Sequence, residues 1–111
     1  MEYLLLIYEK EERFQNGYDQ KEMAEYGALG DEFKAIIRGG DALQATGSAT
    51  TVKVRNGKRQ TTRGPFAKTD EQLTGYYRVD ARDEDEALAL AAKIPAARHG
   101  SVEVRPVMKF S

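Results

Sequence analysis

Six apolar or aromatic residues run unbroken near the start of the chain, Tyr3-Leu4-Leu5-Leu6-Ile7-Tyr8, and stop abruptly at Glu9, Lys10, Glu11 and Glu12. A run of that length, closed by charge, reads as a strand rather than a buried helix. Successive strand side chains point to opposite faces, so this strand carries apolar groups on both sides and both must be covered. The run is also far short of the roughly 20 apolar residues that span a bilayer, and it lacks the basic start of a secretory signal. No membrane partner is expected.

The next signals describe a helix. Asn16, Gly17 and Asp19 are turn formers, and Asp19 with Glu22 has the spacing of a capping box, in which side chains satisfy free N–H groups at a helix start. Met23, Tyr26, Gly30, Phe33 and Ile37 then recur at three- and four-residue steps, with Leu29 and Ile36 beside them. This predicts one apolar stripe on a first helix, with Gly39-Gly40 as its stop. After a connection through Leu43 to Gly47, the alternating run Thr50–Arg55 and the returning Lys58–Thr62 flank Asn56-Gly57, the preferred centre of a type I′ hairpin. Gly64-Pro65-Phe66 breaks regular structure because proline lacks the N–H that a central strand needs.

Leu73 to Asp80 reads as a strand. Asp83 with Glu86 repeats the capping spacing before Ala87, Leu88, Leu90, Ala91 and Ile94, so a second helix is predicted there, ended by Pro95. The alternation of Val102, Val104 and Met108 with Glu103 and Arg105 predicts a last strand from Ser101 to Met108. No repeat or linker divides the chain, and residues 1–111 are read as one domain.

The order is strand, helix, hairpin-bearing strand, strand, helix, strand. Two strand-helix-strand halves with right-handed crossovers fit a ferredoxin-like α+β fold with an added hairpin, one antiparallel sheet and both helices on one face. The other face is then bare, and because the first strand is apolar on both sides a second copy is expected to cover it as a two-fold homodimer.

Composition narrows the function classes. Seventeen basic and eighteen acidic residues leave a formal charge of −1, so no global field draws the protein to nucleic acid or an anionic membrane. There is no cysteine, which removes disulfides and thiolate chemistry and favours an intracellular location. A single histidine, His99, leaves no transition-metal site in prospect, and no cofactor motif is present.

The blocks Arg63-Gly64-Pro65-Phe66-Ala67-Lys68-Thr69, Glu71-Gln72-Leu73-Thr74-Gly75-Tyr76-Tyr77, Asp85-Glu86-Ala87-Leu88 and Gly100 to Val107 occur in this order. Together they make the chain resemble the YCII-related proteins of the DGPF-domain type over nearly its whole length. The resemblance implies a ferredoxin-like subunit that pairs into a dimeric α+β barrel, in a bacterial cytoplasmic protein. It also implies an association with sigma factors of the extracytoplasmic type, beside which some members are encoded or to which they are fused. Two positions depart from the family pattern: Arg63 stands where the namesake Asp would be, and Lys68 replaces the usual acidic residue after Ala67. The first helix has no histidine, so the His/Asp pair proposed for the wider superfamily is not carried over.

Around that loop, Gly64, Pro65 and Phe66 are candidates for a pocket wall, with Arg63 and Lys68 offering positive charge to an anionic group. The alternative is a tight turn anchored by a buried Phe66. Tyr76 and Arg78 are two apart on one strand, as are Glu103 and Arg105 on another, so each pair shares a face. These four line a site for a small polar or acidic molecule, or Glu103 and Arg105 form a buried ion pair that satisfies itself at the interface. His99 is the one side chain that titrates near neutrality; with Glu103 it is a weak catalytic candidate, set against a solvated loop residue. Asp41, Asp70 and Glu71 are further carboxylate candidates outside the capping positions, and nothing in the spacing selects a pair. Two functions therefore stand open: a protein that binds a small polar or anionic molecule at the dimeric barrel, with or without acid–base catalysis, and a non-catalytic interaction module linked to sigma-factor regulation.

Overall fold

The computed structural model describes residues 1–110. Six strands and two helices follow the order β1 (Glu2–Glu9), α1 (Gln20–Glu32), β2 (Ile37–Ala42), β3 (Thr50–Arg55), β4 (Lys58–Arg63), β5 (Gln72–Asp80), α2 (Glu84–Lys93) and β6 (Ser101–Pro106), with single 3₁₀ turns at Glu11–Phe14, Thr46–Ser48 and Pro95–Arg98. Four strands form one sheet in the order β2-β5-β1-β6, with every neighbouring pair antiparallel. The units β1-α1-β2 and β5-α2-β6 interleave, so each parallel pair is separated by a strand of the other unit. This is the ferredoxin-like arrangement.

The period-two burial of β1 shows how the sequence builds the two layers. Tyr3, Leu5 and Ile7 are buried under the helices, while Leu4, Leu6 and Tyr8 stand half-buried on the opposite face. The covered face meets Leu29 of α1, Ala87, Leu90 and Ala91 of α2, and Ile94 and Ala96 after it, with Val79 of β5 completing the core. Leu5, Leu90 and Ile94 have no accessible surface, and each such side chain contributes roughly 1.5–3 kcal/mol relative to exposure. At the start of α2, Asp83 accepts from the Glu86 N–H at 2.9 Å and Glu86 accepts from the Arg82 N–H at 2.9 Å. The second cap thus works in both directions, although the Glu86 side chain returns to the residue before the cap.

Several elements differ from expectation. The first helix ends at Glu32: the Phe33 carbonyl then accepts from the Ile36 and Ile37 N–H groups at 3.0 and 3.1 Å, forming a tight turn. Phe33, Ile36 and Ile37 still pack on the core, so the apolar stripe reads through the helix end. Gly39-Gly40 is not a helix stop but the middle of β2. A Cβ on Gly40 would lie 2.5 Å from the Tyr76 carbonyl oxygen, so glycine is required there by the approach of the neighbouring strand. The second core strand is accordingly Ile37–Ala42, and the predicted hairpin stands apart as its own two-stranded ribbon. Its turn is as predicted, with Asn56 and Gly57 at φ of 53° and 74°. The last strand closes at Pro106, and Met108 is exposed beyond it. Proline is tolerated at that point because β6 is an edge strand.

Candidate functional site

The buried alternation of β1 does not stop with its apolar residues. Glu9 occupies the next inward position and is 4% exposed, and Glu22, on the first turn of α1, is 7% exposed. Asp19 caps the Lys21 N–H at 3.0 Å without help from Glu22, whose carboxylate turns inward instead. Arg13, from the 3₁₀ turn between β1 and α1, holds both acids: one guanidinium nitrogen donates to Glu9 Oε1, and the other donates to Glu22 Oε1 and Oε2 at 2.9 and 3.2 Å. A bulge in β5 opposite Ile7 and Tyr8 places Thr74 where its hydroxyl donates to Glu9 Oε2 at 2.9 Å. Two buried carboxylates are thus fixed by one guanidinium and one hydroxyl, and no buried side-chain polar atom among the described residues is left unpaired.

These acids form part of the wall of a cleft of about 810 Å³ on the helix side of the sheet. The 3₁₀ turn after β1 supplies Glu11, Glu12 and Phe14, α1 supplies Met23 and Tyr26, and the connection from β2 toward the hairpin supplies Leu43 and Ala45. Glu11 accepts from the Thr46 N–H and hydroxyl at 2.7 and 2.6 Å, tying that connection to the opposite wall. Burial beside Glu9 and Glu22 raises the Tyr26 phenol well above its usual value, so it is a hydrogen-bond donor throughout the physiological range. Burial raises Tyr77 as well. The lining contains Glu9, Glu11, Glu12 and Glu22 and no basic residue among those described. Such a concavity is large enough for a small organic molecule, and it presents carboxylate oxygens and a phenol beside apolar walls.

Of the residues singled out from sequence, Tyr76 and Asp41 border the cleft; the main groups centre on three other places. Tyr76, Arg78, Glu103 and Arg105 do share one face: Leu6 pairs with Tyr76 and Glu103, and Leu4 with Arg78 and Arg105, on the side away from the helices. Each is engaged locally, Tyr76 donating to Asp41 at 2.6 Å, Arg78 lying 3.5 Å from Glu2, and Arg105 lying 3.6 Å from Glu103. The bond to Asp41 raises the exposed Tyr76 phenol. Arg63, Gly64, Pro65 and Phe66 lie at the hairpin. Phe66 is 74% exposed, so it anchors no buried turn; it sits beneath Lys53, whose ammonium is 5.3 Å from its ring centre. The groove there, lined by Pro65, Phe66, Lys53 and Lys68 among others, is only about 170 Å³. Arg63 reaches the Thr50 hydroxyl at 3.4 Å. His99 is exposed in its loop, with Nε2 3.9 Å from Glu22.

Glu9, Arg13 and Glu22 were missed because Glu9 reads as the start of the charged run that closes β1 and Glu22 as a cap. One signal was available: Glu9 continues the inward series of Tyr3, Leu5 and Ile7, and Arg13 follows it by four residues.

Comparison with known proteins places this geometry in a lineage. The chain matches the YCII-related domain over residues 1–111. It is also 34% identical, over 93 residues, to an uncharacterised protein of Rhizobium meliloti (strain 1021), an alignment covering 82% of this chain and 68% of that protein. Among the described residues, no helix is long and apolar enough to cross a membrane.

Proposed function

The chain belongs to the YCII-related domain family, and from that premise we propose that it is a small-molecule-binding protein whose site is the acidic cleft between the β1–α1 turn and the β2–β3 connection. The observation that carries this reading is the pair of buried carboxylates in the cleft wall, Glu9 and Glu22, which Arg13 holds together. Buried charges cost several kcal/mol each to desolvate and are rarely the cheapest way to stabilise a core, so a cluster held in fixed geometry beside a cavity is better explained by what enters the cavity. With Glu9 and Glu22 already paired by Arg13, it is Glu11, Glu12 and Asp41, in a lining without a basic residue, that favour a ligand with a cationic or hydrogen-donating head. The Phe14, Met23 and Tyr26 side of the wall favours an apolar or aromatic body. That sign is opposite to the anionic ligand that Arg63 and Lys68 suggest from sequence.

A thermal-shift screen of the full chain tests the reading, because a ligand that binds only the native state raises Tm by mass action. Aromatic and aliphatic amines should raise Tm, and matched carboxylic acids should not. Glu12→Gln, which removes a charge at the exposed part of the wall, should weaken the response. A library that produces shifts only with anions would refute it.

A second reading concerns the open sheet face. Leu4, Leu6 and Tyr8 are half-buried there without a covering layer, which supports the packing of a second copy against that face in a dimeric barrel. Tyr76, Arg78 and Arg105 would then lie inside the barrel, in reach of a small anion. Light scattering that finds a monomer at micromolar concentration would remove this reading.

A further inference from the structure

We propose that the β3–β4 hairpin is an intersubunit arm that docks on the acidic body of a second copy of this chain. The inference is independent of what the cleft binds. It begins with a segregation of charge that the near-zero total conceals. Between Asp41 and Asp70 the chain has six basic residues, Lys53, Arg55, Lys58, Arg59, Arg63 and Lys68, and no acidic one. The remaining 11 basic residues stand against all 18 acidic ones, so a body of −7 carries an arm of +6. None of the six arm cations makes an ion pair among the described residues, whereas eight of the eleven on the body do.

The arm is also bare. Every residue of its two strands except Thr51 is exposed, and Val52, Val54 and Phe66 are 55%, 60% and 74% exposed. Val52 and Val54 lie on one face of the ribbon, opposite Thr61 and Arg59, and Phe66 lies against the other with Lys53 above it. A solitary two-stranded hairpin is marginal in water. The projection is visible in the overall size, a radius of gyration of 15.9 Å, where a compact domain of this length has about 13 Å.

Both roots of the arm are nonetheless held. Thr46 is bonded to Glu11, the Leu43 N–H donates to the Thr74 carbonyl at 2.8 Å, and the Gln72 amide donates to the Ala67 and Thr69 carbonyls at 2.8 and 3.0 Å. The arm is therefore aimed outward by its attachments.

Charge complementarity selects the occupant. A second copy brings a surface of the opposite sign and apolar groups for the valines, and in a two-fold pair each arm meets the other's body, so the contact forms twice. A nucleic acid would satisfy the arm but would draw phosphates toward a body of −7, which repels them.

The test uses equal amounts of isotope-labelled and unlabelled full-length protein, coupled with a zero-length carbodiimide that joins lysine to carboxylate only where they touch. Mixed-isotope peptides linking Lys53, Lys58 or Lys68 to an Asp or Glu of the body are expected. The Lys53→Glu/Arg59→Glu double variant should keep its far-ultraviolet circular dichroism and weaken dimerisation by about tenfold or more, as should high salt. A monomer, a dimer whose arm lysines give no mixed-isotope link, or a duplex DNA or RNA retarded by the native protein and released by the double variant would each overturn the proposal.

Discussion

Replacing Arg13 with Met should be among the most damaging single changes at the cleft, and the reason is electrostatic rather than steric. Methionine keeps an unbranched stem but removes the only cation between Glu9 and Glu22, whose side chains are 5% and 9% exposed. Breaking a buried pair by removing one partner costs on the order of 3–5 kcal/mol because the other charge is left uncompensated. Arg13 is itself 25% exposed, so water replaces part of its effect, and a loss of about 2–3 kcal/mol at neutral pH is the working figure. The assay is urea unfolding at one fixed protomer concentration. A triple replacement, Glu9→Leu with Arg13→Met and Glu22→Leu, should recover most of the loss, since removing all three charges leaves none unpaired. A loss below about 0.5 kcal/mol at pH 7, or a triple variant no better than the single one, would show that the cluster is not the tightly coupled unit described above.

Two further perturbations probe the frame of the site. Gly40→Ala places a Cβ 2.5 Å from the Tyr76 carbonyl oxygen and 3.2 Å from the Tyr77 Cα, and neither atom can yield without opening the β2–β5 ladder; a loss of about 2 kcal/mol or more is expected by calorimetry, and an unchanged Tm would show that β2 is free to shift. Tyr26 tests the alkaline limb. Its folded-state pKa is raised by burial, then by Glu9 and Glu22, so above about pH 10 the unfolded phenol ionises while the folded one holds its proton, and stability falls as pH rises. Tyr26→Phe should flatten the decline in the urea midpoint between about pH 9 and pH 11; an identical slope in the two proteins would refute the assignment.

Much of the fold was legible because local chemistry and the final structure agree. The abrupt end of the Tyr3–Tyr8 run, the Asn56-Gly57 turn, the capped second helix and the alternation of Val102 and Val104 each act over a few residues, where propensity and periodicity speak directly. That Tyr76 shares a face with Arg78, and Glu103 with Arg105, followed from the two-residue period alone; that the two pairs meet on one face is set by their common register on β1. β2 was not legible, since Ile37-Arg38-Gly39-Gly40-Asp41-Ala42 has poor strand propensity and becomes a strand only because β5 lies beside it with room for glycine and nothing larger. Helix α1 read too long for the same reason: Phe33, Ile36 and Ile37 keep the helical spacing while their backbone has already turned toward the sheet.

The sequence by itself determined the class of the protein, its alternating layers and its division into a strand-rich, helix-covered domain, because those depend on which residues avoid water and at what period. It also contained the charge difference between the hairpin and the rest, which is a matter of counting. Only the tertiary structure decided where the charges meet. Glu9, Arg13 and Glu22 come from a strand, a turn and a helix, and Thr74 joins them from a strand 65 residues further along. No local pattern encodes a convergence of that kind: it is set by how the β5 bulge, the first helix and the sheet pack together, and that packing turned a glutamate that reads as a cap into part of a cleft wall.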